Sequence, residues 1–548
     1  MELRGLVAGQ TAYARDLCHR QIGWLMKKIL LIVMALVAAS CSEKFFLSRS
    51  ENVDVLGDLT HDMIVLGDQL EDPYSVENMT KALESLYPTK ADRVAMDPTD
   101  LYVRFLPKDE EQYELLESLG LQMLDHPVDF EVIREGDWYH DPEIPEDEIT
   151  WHYAVVPVGF AFPSGLRYEV LDECYIADNA AATKGDGIDW EEVEREAYRL
   201  SGNESLLAPE SKAGGSTEGP SGRIAIMDPE VSSEPMGVKG VMVSCNSFVK
   251  FANAYTDEDG NYSMKKSFSG TPRYRLVFKN RKGFSIGFNL LLVPASMSTL
   301  GKNSPSGVDV VIDQSSERKL FSRSVVNNAG YDYYCSCESD GVKIKTPPTN
   351  LRIWLFQHLN ASSAVMLQQG AFVEGSLIKE FLGEYIPLLE MFLPDITLGL
   401  KSAARYSDIY NMTVHEMAHA SHFMQVGKAF WDPYIKFIMT SFVKSGFVTY
   451  GVGTEANHGY CEVGEMWAYY AQTQLYRERY PDTSVVFGTN FWFSPQIFLY
   501  LDDRGLNRFK IFNALTSDIT DKDKLQDKLL SLYPEMKSTI NQAFGRYN

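Results

Sequence analysis

Positive charge, histidine and cysteine are all scarce in this 548-residue chain. It carries 51 Lys and Arg against 75 Asp and Glu, which gives a net charge of -24 at pH 7. No stripe of Lys and Arg or nucleic-acid motif offsets this balance, so the composition argues against nucleic acid as a partner. The apolar share of 45% is ordinary for globular protein, and a chain of this length predicts several domains.

The cysteines are too few and too poorly spaced for a disulfide framework. Seven are present, and five remain beyond Cys41. An odd number argues against complete pairing. Cys335 and Cys337 stand too close together for a usual zinc pair, and the sequence has no second pair to complete such a site.

Long apolar runs are also missing except near the N-terminus. Residues 26–41 contain two lysines, then an apolar run, then small residues, which is the order of a secretory signal peptide. The run is too short for a comfortable membrane span. Residues 1–25 do not look like a signal, so Met26 is the predicted true start, and residues 42–60 are polar enough to be a tether.

The end of this signal, Ala38 to Cys41, resembles a bacterial lipobox, in which the cysteine is lipidated and becomes the first mature residue. The resemblance implies a protein exported to the bacterial envelope and held on the outer membrane, on its periplasmic or surface face, by acyl chains on Cys41. Cleavage by an ordinary signal peptidase, without a lipid, is the alternative.

The most informative motif is His-Glu-Met-Ala-His at residues 415–419. Residues four apart lie on the same face of an α-helix, so His415 and His419 can direct two imidazoles at one metal ion. Glu416 lies beside that face, within reach of a water molecule at the same ion.

The surroundings of the motif predict a buried helix. Residues 410–426 contain no Gly, Pro or charged residue other than Glu416. Ser407 or Asp408 is predicted to cap its start, and Gly427 to end it. The alternative is a buried helix whose histidines are merely core residues, but two imidazoles and a carboxylate on one buried face are costly without a metal.

A metal ion needs a third protein ligand, and the residues leave a choice. Residues 459–476 form a second predicted helix in which Glu462 and Glu465 lie one turn apart in apolar surroundings. Either carboxylate would gain from a cation, and Glu455 is a further candidate. His422 lies on a neighbouring face of the first helix, where a packing or supporting role is expected.

Together these residues resemble the gluzincin class of metallopeptidases, whose third ligand is a Glu on a following helix. Their frequent Glu-x-x-Ala form matches Glu465 to Ala468. The resemblance implies one Zn²⁺ per chain on His415, His419 and Glu465, with Glu462 as the alternative ligand. It also implies a metal-activated water, with Glu416 as the general base. A tyrosine is expected to stabilise the transition state, and the candidates are Tyr450, Tyr460, Tyr469 and Tyr470.

The sequence predicts a multidomain α+β chain. Residues 61–200 are expected to form an N-terminal α+β module of unknown role, and residues 201–234 a Gly/Ser-rich linker. Within the module, alternation predicts strands at 100–106, 121–124 and 129–133. Helices are predicted at 109–119, which acidic residues open, and at 190–200.

Residues 235–315 resemble the carboxypeptidase-regulatory, transthyretin-like β-sandwich. The resemblance rests on a strand at 237–243, a Thr-Asp-x-x-Gly-x-Tyr turn at 256–262, and strands at 274–278 and 283–286.

Residues 340–548 are expected to form the mainly helical, zincin-like catalytic domain with a small sheet. Strands are predicted at 351–356 and 393–400, and helices over 518–544. The second strand is a candidate sheet edge for binding an extended peptide.

The predicted function is a zinc metallopeptidase that acts on a protein or peptide. Two alternatives remain. One is an envelope scaffold lipoprotein whose zinc is structural or whose site is inactive, and the intact Glu416 argues against it. The other is a zinc hydrolase of a non-peptide amide.

Overall fold

The computed structural model describes most of the chain beyond its N-terminal segment, namely residues 63–89, 94–145, 148–180, 187–209, 219–287, 297–339, 343–357, 362–371, 394–444 and 450–547. The predicted signal peptide, Met26, Cys41 and the tether lie outside these residues. Helices and several small sheets alternate, which confirms a mixed α and β protein. Contacts divide the chain into one unit of residues 61–331 with 405–407, and another containing 332–404 and 408–548.

The first unit opens with a small α+β region. Its elements are β1 (Val65–Gln69), α1 (Val76–Leu86), β2 (Asp100–Leu106), α2 (Glu110–Ser118), β3 (Phe130–Arg134), β4 (His152–Pro157), β5 (Arg167–Cys174) and α3 (Trp190–Leu200). The strands β4, β2 and β5 form an antiparallel sheet in that order, and β1 pairs with β3. Buried residues of α1 and α3 share one apolar cluster.

Most of the elements predicted in this region are confirmed. The strands at 100–106 and 129–133 and both helices are present, and Asp109 caps α2 by accepting a hydrogen bond from the Gln112 backbone N–H. The strand predicted at 121–124 is wrong. Only Leu124 pairs there, in an isolated bridge with Tyr153.

Two further sheets follow in the same unit. They contain β6 (Ser221–Ile226), β7 (Met236–Gly237), β8 (Met242–Ser247), β9 (Lys250–Tyr255), β10 (Asn261–Ser263), β11 (Arg273–Val277), β13 (Met297–Lys302) and β14 (Val310–Ile312). The short strand β12 (Ser285–Ile286), which lies between β11 and β13 in the chain, belongs to neither sheet. One sheet has the order β10-β6-β14, with β7 also on β6, and the other has the order β13-β11-β8-β9.

The predicted linker over 201–234 is wrong where it is described, because β6 lies inside it and pairs with three other strands. Two of its glycines, Gly219 and Gly222, allow close backbone approach. A Cβ at Gly222 would lie 2.3 Å from the Val308 carbonyl oxygen, and one at Gly219 would lie 2.4 Å from that of Met264. Composition alone does not distinguish glycines that allow two backbones to approach closely from glycines of a flexible linker.

The predicted strand at 237–243 is interrupted. Gly240 has a φ of 65°, which is incompatible with an extended strand, and β8 begins only after it. The predicted turn is confirmed, since the Asp257 carboxylate accepts hydrogen bonds from the backbone N–H groups of Asp259 and Asn261.

The long helix α4 (Arg318–Glu338) leads into the second unit, which is mainly helical. Its remaining elements are β15 (Arg352–Phe356), β16 (Ser363–Ala364), β17 (Ile396–Gly399), α5 (Tyr406–Val426), α6 (Lys428–Lys444), α7 (His458–Arg479), α8 (Gln496–Asp502), α9 (Arg508–Ala514), α10 (Lys522–Leu532) and α11 (Lys537–Arg546). The predicted strand at 351–356 and the helices of the tail are confirmed.

Two local predictions in this unit are wrong. The strand β17 is not an edge, because it pairs with β15 on one side and β16 on the other, and all four of its residues are buried. The helix α5 begins at Tyr406, so Ser407 and Asp408 lie in its first turn and do not cap it. Gly427, with a φ of 71°, follows its last residue as predicted.

Two expectations, that the cysteines form no disulfide framework and that long apolar runs are confined to the N-terminus, can be checked within the described residues. The five cysteines there, including Cys335 and Cys337, are free thiols. Every helix of these residues is too short or too polar to cross a bilayer.

A buried ion pair ties α3 to β9 in the first unit. Lys250 is 1% exposed, and its Nζ lies 2.6 Å from Glu194 Oε1 and 2.8 Å from Asp178 Oδ2. Glu194 also accepts hydrogen bonds from Tyr74 and Ser269. Burial lowers the pKa of Lys250, but the two carboxylates outweigh it and the net pKa is raised.

We expect Lys250→Met to destabilise the first unit by about 3–5 kcal/mol, because it leaves the Glu194 charge buried without a cation. Adding Glu194→Gln should recover part of the loss. The measurement is urea unfolding. The control is the exposed Lys81→Met, which breaks a surface pair with Glu77 and should leave the unfolding midpoint close to that of the unaltered protein. Equal losses in Lys250→Met and Lys81→Met would contradict a structural role for the buried pair.

Candidate metal centre

Three side chains of the second unit converge on one point. The Nε2 atoms of His415 and His419 lie 3.2 Å apart. Glu465 Oε2 lies 3.6 Å from His415 Nε2, and Glu465 Oε1 lies 3.6 Å from His419 Nε2. Among the described residues this is the only group of three or more His, Cys, Asp or Glu whose ligand atoms lie close enough to share a metal ion.

These separations fit a tetrahedral zinc ion. Ligands about 2.0–2.1 Å from a tetrahedral centre are about 3.4 Å from one another. The distance between the two Nε2 atoms, 3.2 Å, is close to this value, and each Nε2 has one of the two Glu465 oxygens at 3.6 Å. Two imidazoles and one carboxylate are also a donor set that zinc accepts, and three protein ligands leave a fourth position open.

Two packed helices bring the ligands together. The histidines lie one turn apart on α5, and Glu465 lies on α7. Later residues of α5 contact earlier residues of α7: His415 lies against Gln472, whereas the Ala418 carbonyl accepts a hydrogen bond from the Trp467 indole. The two helices therefore run antiparallel. Both are buried along this contact, which holds the three ligand side chains in fixed positions.

Glu416 lies beside the ligands with an unsatisfied oxygen. Its side chain is 1% exposed, and Oε2 has no hydrogen-bond partner within the part of the chain that the structure describes. Burial, with a smaller contribution from the Glu465 charge, raises the pKa of Glu416 to about 8. A buried carboxylate oxygen without a partner is costly, so its presence favours a ligand at this point.

Glu465 has the opposite electrostatic environment. It is fully buried, which by itself would raise its pKa, yet the facing His419 and His415 outweigh burial and hold the pKa of Glu465 well below its usual range. Burial lowers the pKa of His415, but Glu465 and Glu416 reverse this and raise it. The site thus keeps an ionised carboxylate that attracts a cation.

Hydrogen bonds to the ligands come from residues that the sequence did not single out. Tyr434 on α6 donates to Glu465 Oε1 at 2.6 Å, and Gln472 Oε1 lies 2.9 Å from His415 Nδ1. Gln472 follows Glu465 by seven residues, two helical turns, so its place on the same face of α7 was a signal in the sequence. Nothing local indicated Tyr434, because it comes from a third helix.

The structure brings two of the four candidate tyrosines to the centre. The Tyr450 hydroxyl lies 3.3 Å from Glu465 Oε2 and 3.3 Å from the Tyr469 hydroxyl. The Tyr469 ring packs edge-on against His415, with centroids 4.5 Å apart. Tyr470 instead donates to Asp502, and the Tyr460 ring packs against Phe430.

The other acidic candidates are engaged elsewhere. Glu462 pairs with Lys522 at 3.2 Å, and Glu455 accepts backbone hydrogen bonds from Val452 and Thr454. His422 packs among Phe430 and Trp431, and burial lowers its pKa to about 3. Of the three, none joins the cluster formed by His415, His419 and Glu465.

We expect Glu465→Ala to abolish stoichiometric zinc binding, because it removes one of three ligands, whereas Glu462→Ala retains about one zinc per chain. Elemental analysis of protein purified without chelators and supplied with zinc measures the difference. His419→Ala serves as a second loss variant. Loss of zinc in Glu462→Ala together with its retention in Glu465→Ala would reverse the assignment of the third ligand.

Comparison with known proteins assigns no family to the chain. No protein-family model matches the sequence, and no curated protein matches it. What the chain does therefore has to be inferred from the residues of the centre and from the resemblance carried by the His-Glu-x-x-His motif and Glu465.

Proposed function

We propose that this chain is a zinc-dependent metallopeptidase. The observation that carries the proposal is the convergence of His415, His419 and Glu465 at 3.2–3.6 Å with the unpartnered oxygen of Glu416 beside them. A site that only holds a metal needs the three ligands. The additional buried carboxylate has a role in hydrolysis and none in ligation.

Each residue has a distinct task in the proposed reaction. When bound, zinc supplies Lewis acidity, lowering the pKa of water and polarising the scissile carbonyl. His415, His419 and Glu465 hold the ion. Glu416 accepts the proton of the attacking water at its free oxygen and returns it to the leaving amine.

Tyr469 is the proposed donor to the developing oxyanion. Its ring lies against His415, and its hydroxyl lies near that of Tyr450. Tyr450 is the weaker candidate because its hydroxyl is directed at the Glu465 carboxylate. A hydroxyl placed beside the ligands can stabilise charge that forms only in the transition state.

The rest of the chain is proposed to support this site. The two sheets built from β6 to β11, β13 and β14 are proposed to be the carboxypeptidase-regulatory-like β-sandwich, an accessory domain that begins at β6 instead of at residue 235. The α+β region before it has no assigned role. Lipidation of Cys41 would attach the protein to the bacterial envelope, where a protein or peptide is the proposed substrate.

A structural zinc site in an envelope scaffold protein is the second candidate. The observation that favours it is the burial of the whole centre, since Glu416 is 1% exposed and Glu465 fully buried. Hydrolysis of a non-peptide amide by the same residues is a variant of the main proposal. Substrate screens with peptides and with other amides separate the two hydrolases.

We expect Glu416→Gln to retain one zinc per chain and to lower peptide hydrolysis by about 10²-fold or more, because the amide cannot accept the proton. The measurement pairs elemental analysis with cleavage of a diverse peptide mixture followed by mass spectrometry. Glu462→Gln, which alters a carboxylate on α7 outside the cluster, is the matched control and should cleave like the unaltered protein.

Two results would overturn the proposed hydrolysis. Undiminished cleavage in Glu416→Gln would remove the general base from the mechanism. Stoichiometric zinc in the unaltered protein, without cleavage of any peptide or other amide, would favour the scaffold candidate.

We expect Tyr469→Phe to keep zinc and to lower kcat by about 10²-fold, the loss typical of one oxyanion donor, with a smaller change in KM. Tyr470→Phe is the control, because the neighbouring hydroxyl is bonded to Asp502 instead. Steady-state kinetics on one cleaved peptide distinguishes them. An unchanged kcat in Tyr469→Phe would reject its assignment as the donor.

A further inference from the structure

We propose that Gln472 is a positioning residue of the metal centre, which fixes the tautomer and the orientation of His415. The side chain is 5% exposed, and its Oε1 lies 2.9 Å from His415 Nδ1. The inference deepens the proposed function by stating how the ion is held. It rests on the metal site and does not require hydrolysis.

The convergence of ligand atoms determines which nitrogen of His415 carries the proton. His415 Nε2 faces both His419 Nε2 and Glu465, so it is the atom that would bind the ion and it has to be unprotonated. The proton then resides on Nδ1, which donates to the amide oxygen of Gln472. A histidine ligand whose other nitrogen donates to an acceptor keeps a single tautomer and ring orientation.

Gln472 also connects the two helices that supply the ligands. Its Nε2 donates to Asn411 Oδ1. Asn411 precedes His415 by one turn on α5, and Gln472 follows Glu465 by two turns on α7. The amide therefore bonds twice to α5, once to the ligand itself and once to the turn before it. This arrangement fixes the spacing of the two helices where the ligands meet.

The partner of His415 is a neutral amide instead of a carboxylate. A carboxylate at this place would make the imidazole a stronger electron donor and would add a negative charge to the centre. The amide supplies the acceptor without this charge. A glutamate substitution is therefore informative, because it keeps the acceptor while it introduces a buried charge.

The test compares Gln472→Met, which has similar volume but no acceptor, with Gln472→Glu. Zinc dissociation constants are measured by chelator competition, and stability by thermal unfolding of the metal-free proteins. We expect Gln472→Met to bind zinc about 10–100-fold more weakly and Gln472→Glu to bind more tightly than Gln472→Met. The stability order should be the reverse, since the glutamate charge is buried. Gln474→Met on the same helix, whose amide bonds to Asp502, is the matched control and should bind zinc normally.

Because the expected order of zinc affinity is the reverse of the expected order of stability, the test distinguishes a positioning role of Gln472 from a packing role. If zinc affinity followed the stability of the metal-free variants, with Gln472→Glu the weakest binder, Gln472 would have a packing role only and the inference would be overturned. Normal affinity in Gln472→Met would overturn it as well, while leaving the proposed function intact. Absence of zinc binding in the unaltered protein would overturn both.

Discussion

The second unit depends on one buried carboxylate. Glu465 has no exposed surface, yet the histidines facing it keep it ionised. A buried charge of this kind is tolerated only with countercharge and hydrogen bonds. These come from α5 through His415 and His419, from α6 through Tyr434, and from Tyr450 just before α7. The need to satisfy Glu465 thus constrains how the three helices pack.

Two buried glutamates that both interact with His415 have pKa values shifted in opposite directions. Glu465 faces both imidazoles, and its pKa falls. Glu416 has an oxygen without a partner in the described residues, so burial prevails and its pKa rises to about 8. Environments that shift the pKa values of two carboxyl groups in opposite directions are typical of sites where the two groups have different roles. The proposed roles, ligand for Glu465 and base for Glu416, follow this division.

Two predictions from sequence patterns were wrong because the same composition is compatible with two structures. The Gly/Ser-rich stretch before residue 234 suggested a linker, but Gly222 permits a backbone contact that any Cβ would block, and β6 is the central strand of its sheet. The apolar run at β17 was expected to be an edge and is instead paired on both sides. Both features depend on which distant strands come alongside.

The sequence by itself determined the elements that have a local cause. The four-residue spacing of His415 and His419 and the apolar run around them specify one helix with both imidazoles on one face. The resemblance carried by the Glu-x-x-Ala pattern favoured Glu465 over Glu462 as the third candidate ligand. Tertiary structure alone decided the partners of these residues. Tyr434 reaches Glu465 from another helix, and Tyr469 differs from Tyr470 only in which face of α7 meets α5. Such contacts join residues far apart in the chain, and no local periodicity records them.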